Sequence, residues 1–348
     1  MLTDLERIKA EQLKITRPRC YEKVSQYDTQ LARRASIGII QFQYRYMCNM
    51  GCGFCCTNRM HKKPRYFKIP DVVELFRQAD EYGLAHVTVT GGEPLMFPDL
   101  DDLIRAIDTQ RFFVSVDSNG WYLDEAMVSR LVGLGVGKVH LSLDSADPQI
   151  HDAWRHMPGS HARVLKAIEY CKKAGLIVLL NTIITKERLC SQELVDYLEF
   201  TKALGGVRVV LLMAKPAGEW DGRKDILLNV EDQAYLRHFE TRYDCFTHLM
   251  PQYGRDMGCI AGKRLFSITM YGDVMPCPWI HISMGNFFEE PLKDILDRMM
   301  RLKFVCERQD ICIGSVEGPY LSDYAPKIEG KPFPVPWQEV FNGEDFKP

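Results

Sequence analysis

Three cysteines fall within eight residues, Cys48-Asn-Met-Gly-Cys52-Gly-Phe-Cys55, at C-x3-C-x2-C spacing. Thiolates are soft ligands, and closely spaced ones select zinc or iron–sulfur clusters. Three thiolates leave one iron of a four-iron cube without a protein ligand. An open iron can bind and activate a substrate, whereas a fully ligated cluster only carries electrons. A zinc site would need a fourth ligand. Cys56 is the nearest thiol, but adjacent residues rarely both reach one tetrahedral ion. A disulfide does not suit a chain that carries no mark of secretion.

A second constellation lies downstream. Cys259 is followed by twelve residues, Gly272, four residues and Cys277, and then by Cys306-x5-Cys312. Residues 266–273 read as strand and turn, and a hairpin brings cysteines distant in sequence to one place. Four thiolates can close an iron–sulfur cluster or hold a structural zinc ion.

These residues need elements to position them. Apolar, β-branched segments predict strands at 37–42, 86–90, 112–117, 138–143, 176–181 and 207–213. Helical patterns fall between them at 71–82, 98–108, 123–133, 161–174 and 191–204. Strands alternating with helices predict an α/β fold with a parallel sheet. The chemistry-bearing residues follow strand ends: Cys48 after the first, Gly91-Gly92-Glu93 after the second, Ser118-Asn119-Gly120 after the third. Ser142 and Asp144 follow the fourth, and Asn181 and Met213 are placed at the ends of the fifth and sixth. Parallel βα folds gather their sites at the strand C-terminal face. Asn-Gly is also an ordinary turn signal, and paired glycines also serve plain strand-to-helix turns.

The C-x3-C-x2-C loop, with Phe54 before its last cysteine, resembles the signature of the radical S-adenosylmethionine (SAM) superfamily. The resemblance extends over about residues 36–315. It implies a partial (β/α)6 TIM-like barrel with a small C-terminal β-hairpin/helix auxiliary-cluster domain. Cys48, Cys52 and Cys55 would hold the catalytic cluster, and Gly91, Gly92 and Glu93 match the motif that contacts the SAM amino group. Ser118 and Asn119 stand where the family often shows Thr-Asn-Gly. Ser142 and Arg155 would meet the SAM carboxylate, since arginine offers a planar fork to carboxylates. Asp144 would serve ribose or substrate, and Phe54, Asn181 and Met213 complete the expected cofactor contacts. The downstream cysteines are similar to SPASM and Twitch domains. Lys303 replaces one cysteine of the full pattern, and none follows Cys312. Cys259, Cys277, Cys306 and Cys312 would therefore ligate one auxiliary cluster.

The resemblance implies two 4Fe–4S clusters, SAM, and a flavodoxin or ferredoxin-type electron donor. The expected activity is reductive cleavage of SAM to a 5′-deoxyadenosyl radical, which abstracts hydrogen from a small polar natural product (sugar, aminocyclitol or nucleoside). Oxidation, elimination or decarboxylation would follow. The alternatives are an epimerase with a cysteine hydrogen donor, a peptide maturase, and a zinc-stapled binding protein without catalysis.

Composition narrows the setting. A formal net charge of −2 over 348 residues argues against general nucleic-acid or membrane-surface binding. The N-terminus has no signal-peptide core and no apolar run spans a membrane. With 12 cysteines in such a chain, metal or redox use in the cytoplasm is the expectation. Cys20 and Cys56 have no assigned role, Cys171 reads as packing, and Cys190 and Cys245 are candidate hydrogen donors. Arg59, His61, Lys62, Lys63 and Arg65 form either a solvated face or a site for an anionic substrate or donor. The expected divisions are a helical lead-in (1–35), the barrel (36–220), a linker with the auxiliary domain (221–315) and a tail (316–348). The tail would wrap the surface or cover the barrel opening.

Overall fold

The computed structural model describes residues 4–32, 37–57, 59–249 and 258–348. Two helices, α1 (Asp4–Thr16) and α2 (Pro18–Ala32), lead in; residues 1–3 and 33–35 of the expected lead-in lie outside the described residues. Then come β1 (Ile39–Arg45), α3 (Ile69–Tyr82), β2 (His86–Gly91), α4 (Leu100–Ile107), β3 (Phe113–Ser118), α5 (Glu125–Gly133) and β4 (Lys138–Ser142). The alternation continues through α6 (Pro148–Arg155), α7 (Ser160–Lys173), β5 (Ile177–Ile184), α8 (Lys186–Leu189), α9 (Gln192–Leu204) and β6 (Val207–Met213). Strands β1 to β6 pair in sequence order, all parallel. This is the expected α/β architecture. The helices stop where local chemistry says they must: Gly83 ends α3 in the left-handed region at φ 93°.

Two strand ends differ from the expectation. β1 runs on to Arg45, so only two residues separate it from Cys48. β5 runs on to Ile184, because Ile183 and Ile184 continue its apolar run and pair with Leu212 and Met213 of β6. Asn181 is therefore mid-strand, opposite Ser142, and not at a strand end.

Residues 219–248, expected to link two domains, instead extend the barrel sheet. Helix α10 (Val230–Arg242) returns the chain to β7 (Cys245–Phe246), which pairs in parallel with β6. The expected hairpin is present as β8 (Leu265–Ile268) and β9 (Val274–Met275), antiparallel to each other. Sequence patterning did not reveal where the hairpin docks. β8 pairs in parallel with β1, Ile39 to Leu265 through Phe42 to Ile268, giving one nine-stranded sheet. β1 would otherwise present unpaired N–H and C=O groups at an open barrel edge. The buried bond from Gln43 Nε2 to Ser267 Oγ at 3.1 Å ties the strands further.

The chain ends with β10 (Ile282–Ser283), α11 (Leu292–Arg301), α12 (Lys303–Cys306) and β11 (Val335–Pro336), the last paired with β10. The tail crosses the barrel opening. His61 N–H donates to the Phe333 carbonyl at 2.6 Å, and Leu321 packs into the apolar group around Phe54.

Because β8 completes the edge of β1, barrel and hairpin should unfold together. Phe266 of β8 is fully buried. Phe266→Ala should cost about 3–5 kcal/mol and shift a single urea transition followed by far-UV dichroism and tryptophan fluorescence. Two separated transitions would show that the hairpin is an independent unit.

Candidate functional site

The cysteine loop is held from below by a turn that has no room for side chains. Gly91 sits at φ 127°, and a Cβ there would lie 2.1 Å from the Arg45 carbonyl oxygen. A Cβ on Gly92 would lie 2.1 Å from the Met47 carbonyl oxygen. The backbone uses that closeness: Gly92 N–H donates to Arg45 O at 2.7 Å and Glu93 N–H to Met47 O at 2.8 Å. The strand leaving β1 is thus clamped just before Cys48. A second clamp acts from above. Gly218, at φ 61°, approaches Gly53 O too closely for any Cβ, and Glu219 N–H donates to that same oxygen at 2.7 Å.

Glu93 joins three strand ends. Its carboxylate accepts from Leu95 N–H (3.1 Å), Ser118 Oγ (2.8 Å) and Asn119 N–H (2.7 Å). Asn119 then donates through Nδ2 to Asn49 Oδ1 at 2.8 Å and reaches Cys48 Sγ at 3.9 Å. Ser118 and Asn119 therefore position the loop through Glu93. Glu93 is 1 % exposed, and burial pushes its carboxyl up to about 7 despite these donors.

On the opposite side, Arg155 donates through Nε to Asp144 Oδ2 at 2.6 Å and reaches Cys52 Sγ at 3.8 Å. Burial alone would push the Asp144 carboxyl up; the Arg155 and His151 side chains outweigh it and hold it below the usual carboxylate range. The Arg155 guanidinium lies 5.0 Å from the Phe54 ring centre. Phe54, Trp154 and Trp220 pack together, forming an apolar wall beside the loop. Ser142 closes β4 and Asn181 faces it in register; Met213 ends β6, buried. Sequence reading gave His151 no role of its own, although His151-Asp152 belongs to the motif order that carries the resemblance, and it missed Trp154, Arg188 and Lys215. Arg188 donates to the Asp144 carbonyl from beyond β5, a contact between segments 44 residues apart. Of the basic residues after the loop, Arg59 pairs with Asp221, Lys63 with Asp273 and Arg65 with Asp71. Lys63 thereby binds the loop's exit to the turn of the hairpin.

The residues suit the groups the resemblance implies. Cys48, Cys52 and Cys55 form no disulfide; the first is exposed and the others are half-buried. Burial pushes the Cys48 and Cys52 thiols up, so loading metal there must release protons. Among the described residues, Asn49 Nδ2, Asp144 Oδ1 and His151 Nε2 are buried without a hydrogen-bond partner. Buried polar atoms of this kind are costly unless something meets them. At the second constellation the sulfurs of Cys259, Cys312 and Cys277 lie near enough to perturb one another, and Cys312 Sγ donates to Ser315 Oγ at 3.3 Å. Cys306 instead turns its sulfur to the Lys303 carbonyl at 3.7 Å. Among the described residues no three His, Cys, Asp or Glu groups close on a single ion, whereas the thiolates around a four-iron cube stand farther apart.

The raised Glu93 carboxyl has a pH consequence. In the cluster-free protein the folded state holds this proton between pH 4.5, the ordinary value, and about 7. The group's stabilisation is complete below pH 4.5 and is lost as pH rises through 7. Urea unfolding of wild type should therefore weaken across that window relative to Glu93→Gln, and parallel pH profiles would contradict it.

Comparison with known proteins agrees with this geometry. A family model, "Radical SAM superfamily", matches residues 45–225, just over half of the chain, and "Iron-sulfur cluster-binding domain" (SPASM) matches 259–314. The chain is 25% identical over 333 residues to an AdoMet-dependent heme synthase of Methanosarcina barkeri, covering 82% of this chain and 94% of that protein. It is 25% identical over 245 residues to the PqqA peptide cyclase of Granulibacter bethesdensis, covering 67% and 65%. The fold is similar to that of Streptococcus suis SuiB bound to S-adenosylmethionine, with a TM-score of 0.64 at 20% identity, covering 94% of this chain and 82% of that one. With its cysteine loop clamped between two glycine turns and a SPASM domain on the edge of its barrel, the chain belongs to the radical SAM superfamily, and its cofactors are SAM and 4Fe–4S clusters.

Proposed function

We propose that this radical SAM enzyme modifies a peptide, most simply a ribosomally made precursor presented by a separate partner. The observation that carries the reading is the set of relatives. A PqqA peptide cyclase aligns over two thirds of this chain, and a sporulation killing factor maturation protein and a mycofactocin maturase align as well. The earlier expectation of a sugar, aminocyclitol or nucleoside substrate has weaker support. A small-molecule substrate stays as the second reading because the heme synthase relative is matched over 94% of its length.

SAM and the cluster held by Cys48, Cys52 and Cys55 would supply radical chemistry able to remove hydrogen from the substrate. The chain's own residues prepare that event. Glu93 offers a buried carboxylate to the SAM amino group, and Arg155, held by Asp144, offers its remaining N–H groups to the SAM carboxylate. Phe54, Trp154, Trp220 and Leu321 keep water from the reacting face. Cys48, Cys52 and Cys55 hold the SAM cluster, and Cys259, Cys277 and Cys312 hold an auxiliary one, with Cys306 as fourth ligand after a local turn of α12.

We infer net oxidation or elimination over hydrogen return. Cys190 is exposed, and Cys245 is buried in β7 opposite Val209, near the start of β6 and not its end. Turnover in deuterated water should leave product carbons unlabelled in wild type. Carbon-bound deuterium that disappears in Cys56→Ala, Cys190→Ala or Cys245→Ala would establish a donor thiol and an epimerase.

The deciding experiment is anaerobic turnover of the reconstituted protein with SAM, reductant, and candidate precursor peptides or small carboxylic acids. Mass spectrometry should find the altered mass in a peptide, alongside 5′-deoxyadenosine. Modification confined to a small molecule would favour the second reading. Replacing Cys48, Cys52 and Cys55 with Ala should abolish 5′-deoxyadenosine formation and reduce iron from about eight atoms to about four. Retained cleavage in that variant would sink the cluster assignment.

A further inference from the structure

Lys215 is a charge in an unusual place. It follows β6 at the barrel mouth, in the segment that bridges the cysteine loop and the SPASM domain. It is 7 % exposed. Its ammonium donates to the Met213 carbonyl at 2.8 Å and lies 5.1 Å from the ring centre of Trp279. Among the described residues it enters no ion pair with a carboxylate, unlike Arg155, which is paired with the buried Asp144. Taking an ammonium out of water is unfavourable unless an anion meets it. A neutral carbonyl and an aromatic face offset only part of that.

The groups around Lys215 identify the missing anion. The Met213 carbonyl that accepts from Lys215 also accepts from Ser315 Oγ at 3.3 Å. Ser315 Oγ in turn accepts from Cys312 Sγ at 3.3 Å. Trp279 stands two residues beyond Cys277. The Lys215 charge acts on the sulfurs of Cys277, Cys312 and Cys56. Each of these contacts leads to the auxiliary cysteines or to the wall between them and the catalytic loop. The tail shuts the space from outside, since Tyr320 is buried next to Cys277 and Leu321 packs on the Phe54 group.

We propose that Lys215 is the fixed counter-charge of the auxiliary cluster, placed on the face that looks toward the SAM cluster. A thiolate-held cluster is anionic and gains negative charge on reduction. A buried cation linked to one ligand through the Met213 carbonyl and the Ser315 hydroxyl stabilises the reduced form more than the oxidised form and raises the reduction potential. The anion in turn accounts for the buried lysine. The proposal rests on the reading of Cys259, Cys277 and Cys312 as auxiliary ligands, and it makes Lys215 a positioning residue that acts through the cluster.

The test uses full-length protein with Cys48, Cys52 and Cys55 replaced by Ala, reconstituted anaerobically with iron and sulfide so that one cluster remains. Its midpoint potential is read by redox titration with electron paramagnetic resonance, alone and with Lys215→Met or Lys215→Arg. Lys215→Met should lower the potential with iron content unchanged, and Lys215→Arg should restore most of it. A potential unmoved in Lys215→Met at full iron content overturns the proposal. In that case a raised KM for a carboxylate-bearing substrate in otherwise native protein would mark Lys215 as a substrate anchor. Absence of iron from the triple-Ala protein itself would overturn the auxiliary-cluster reading, and the proposal with it. If Lys215→Met fails to load, Lys215→Gln and Lys215→Arg decide: both loading, with equal potentials, also counts against it.

Discussion

The structure depends on two peptide groups meeting at a distance that only glycine permits. Gly92 N–H donates to the Arg45 carbonyl at 2.7 Å, and a Cβ on either glycine of the Gly91-Gly92 turn would sit inside a neighbouring carbonyl. The cysteine loop has little regular structure of its own, so its shape must be imposed from outside. Backbone bonds from the ends of β1 and β2, and from Glu219 beyond β6, impose it. Glu93 extends that support to β3 through Ser118 and Asn119. A buried carboxylate surrounded by donors is costly to disturb, because removing it would strand them all.

The SPASM domain is joined to the barrel by several different kinds of interaction. β8 completes the sheet at β1, and Lys63 forms an ion pair with Asp273, whose side chain is 3 % exposed. Asp273 also accepts from Ser283 and Asn286, so the pair belongs to a satisfied network. Phe67 N–H donates to the Met270 carbonyl at 3.0 Å. The tail adds bonds to His61 and a short pairing of β11 with β10. The two cysteine sets are consequently held at a fixed separation.

Cations are placed with matching economy. Arg155 reaches one sulfur of the loop while keeping Asp144 as partner, and Lys215 lies between the Met213 carbonyl and Trp279, two residues beyond Cys277. Both are buried. The apolar wall of Phe54, Trp154 and Trp220 lowers the local dielectric, which strengthens each of these interactions.

Cysteine spacing, the Gly-Gly-Glu turn and the alternation of strands and helices are local properties, so the sequence alone determined the cluster chemistry, the α/β class and the order of the six barrel strands. It also placed the hairpin between Cys259 and Cys277. Pattern could not place what depends on distant segments. Asn181 was assigned to a strand end because the apolar run was cut short, while the pairing of Ile183 and Ile184 with β6 carried the strand onward. Residues 219–248 looked polar enough for a linker, yet β7 needs only two residues to join the sheet. Whether Arg59, Lys63 and Arg65 faced solvent or a ligand was settled by aspartates as far as 210 positions away. Lys215 carries no local signal at all. Burial and the convergence of Met213, Trp279 and Ser315 define it, and those exist only once the barrel, the hairpin and the tail have closed on one another.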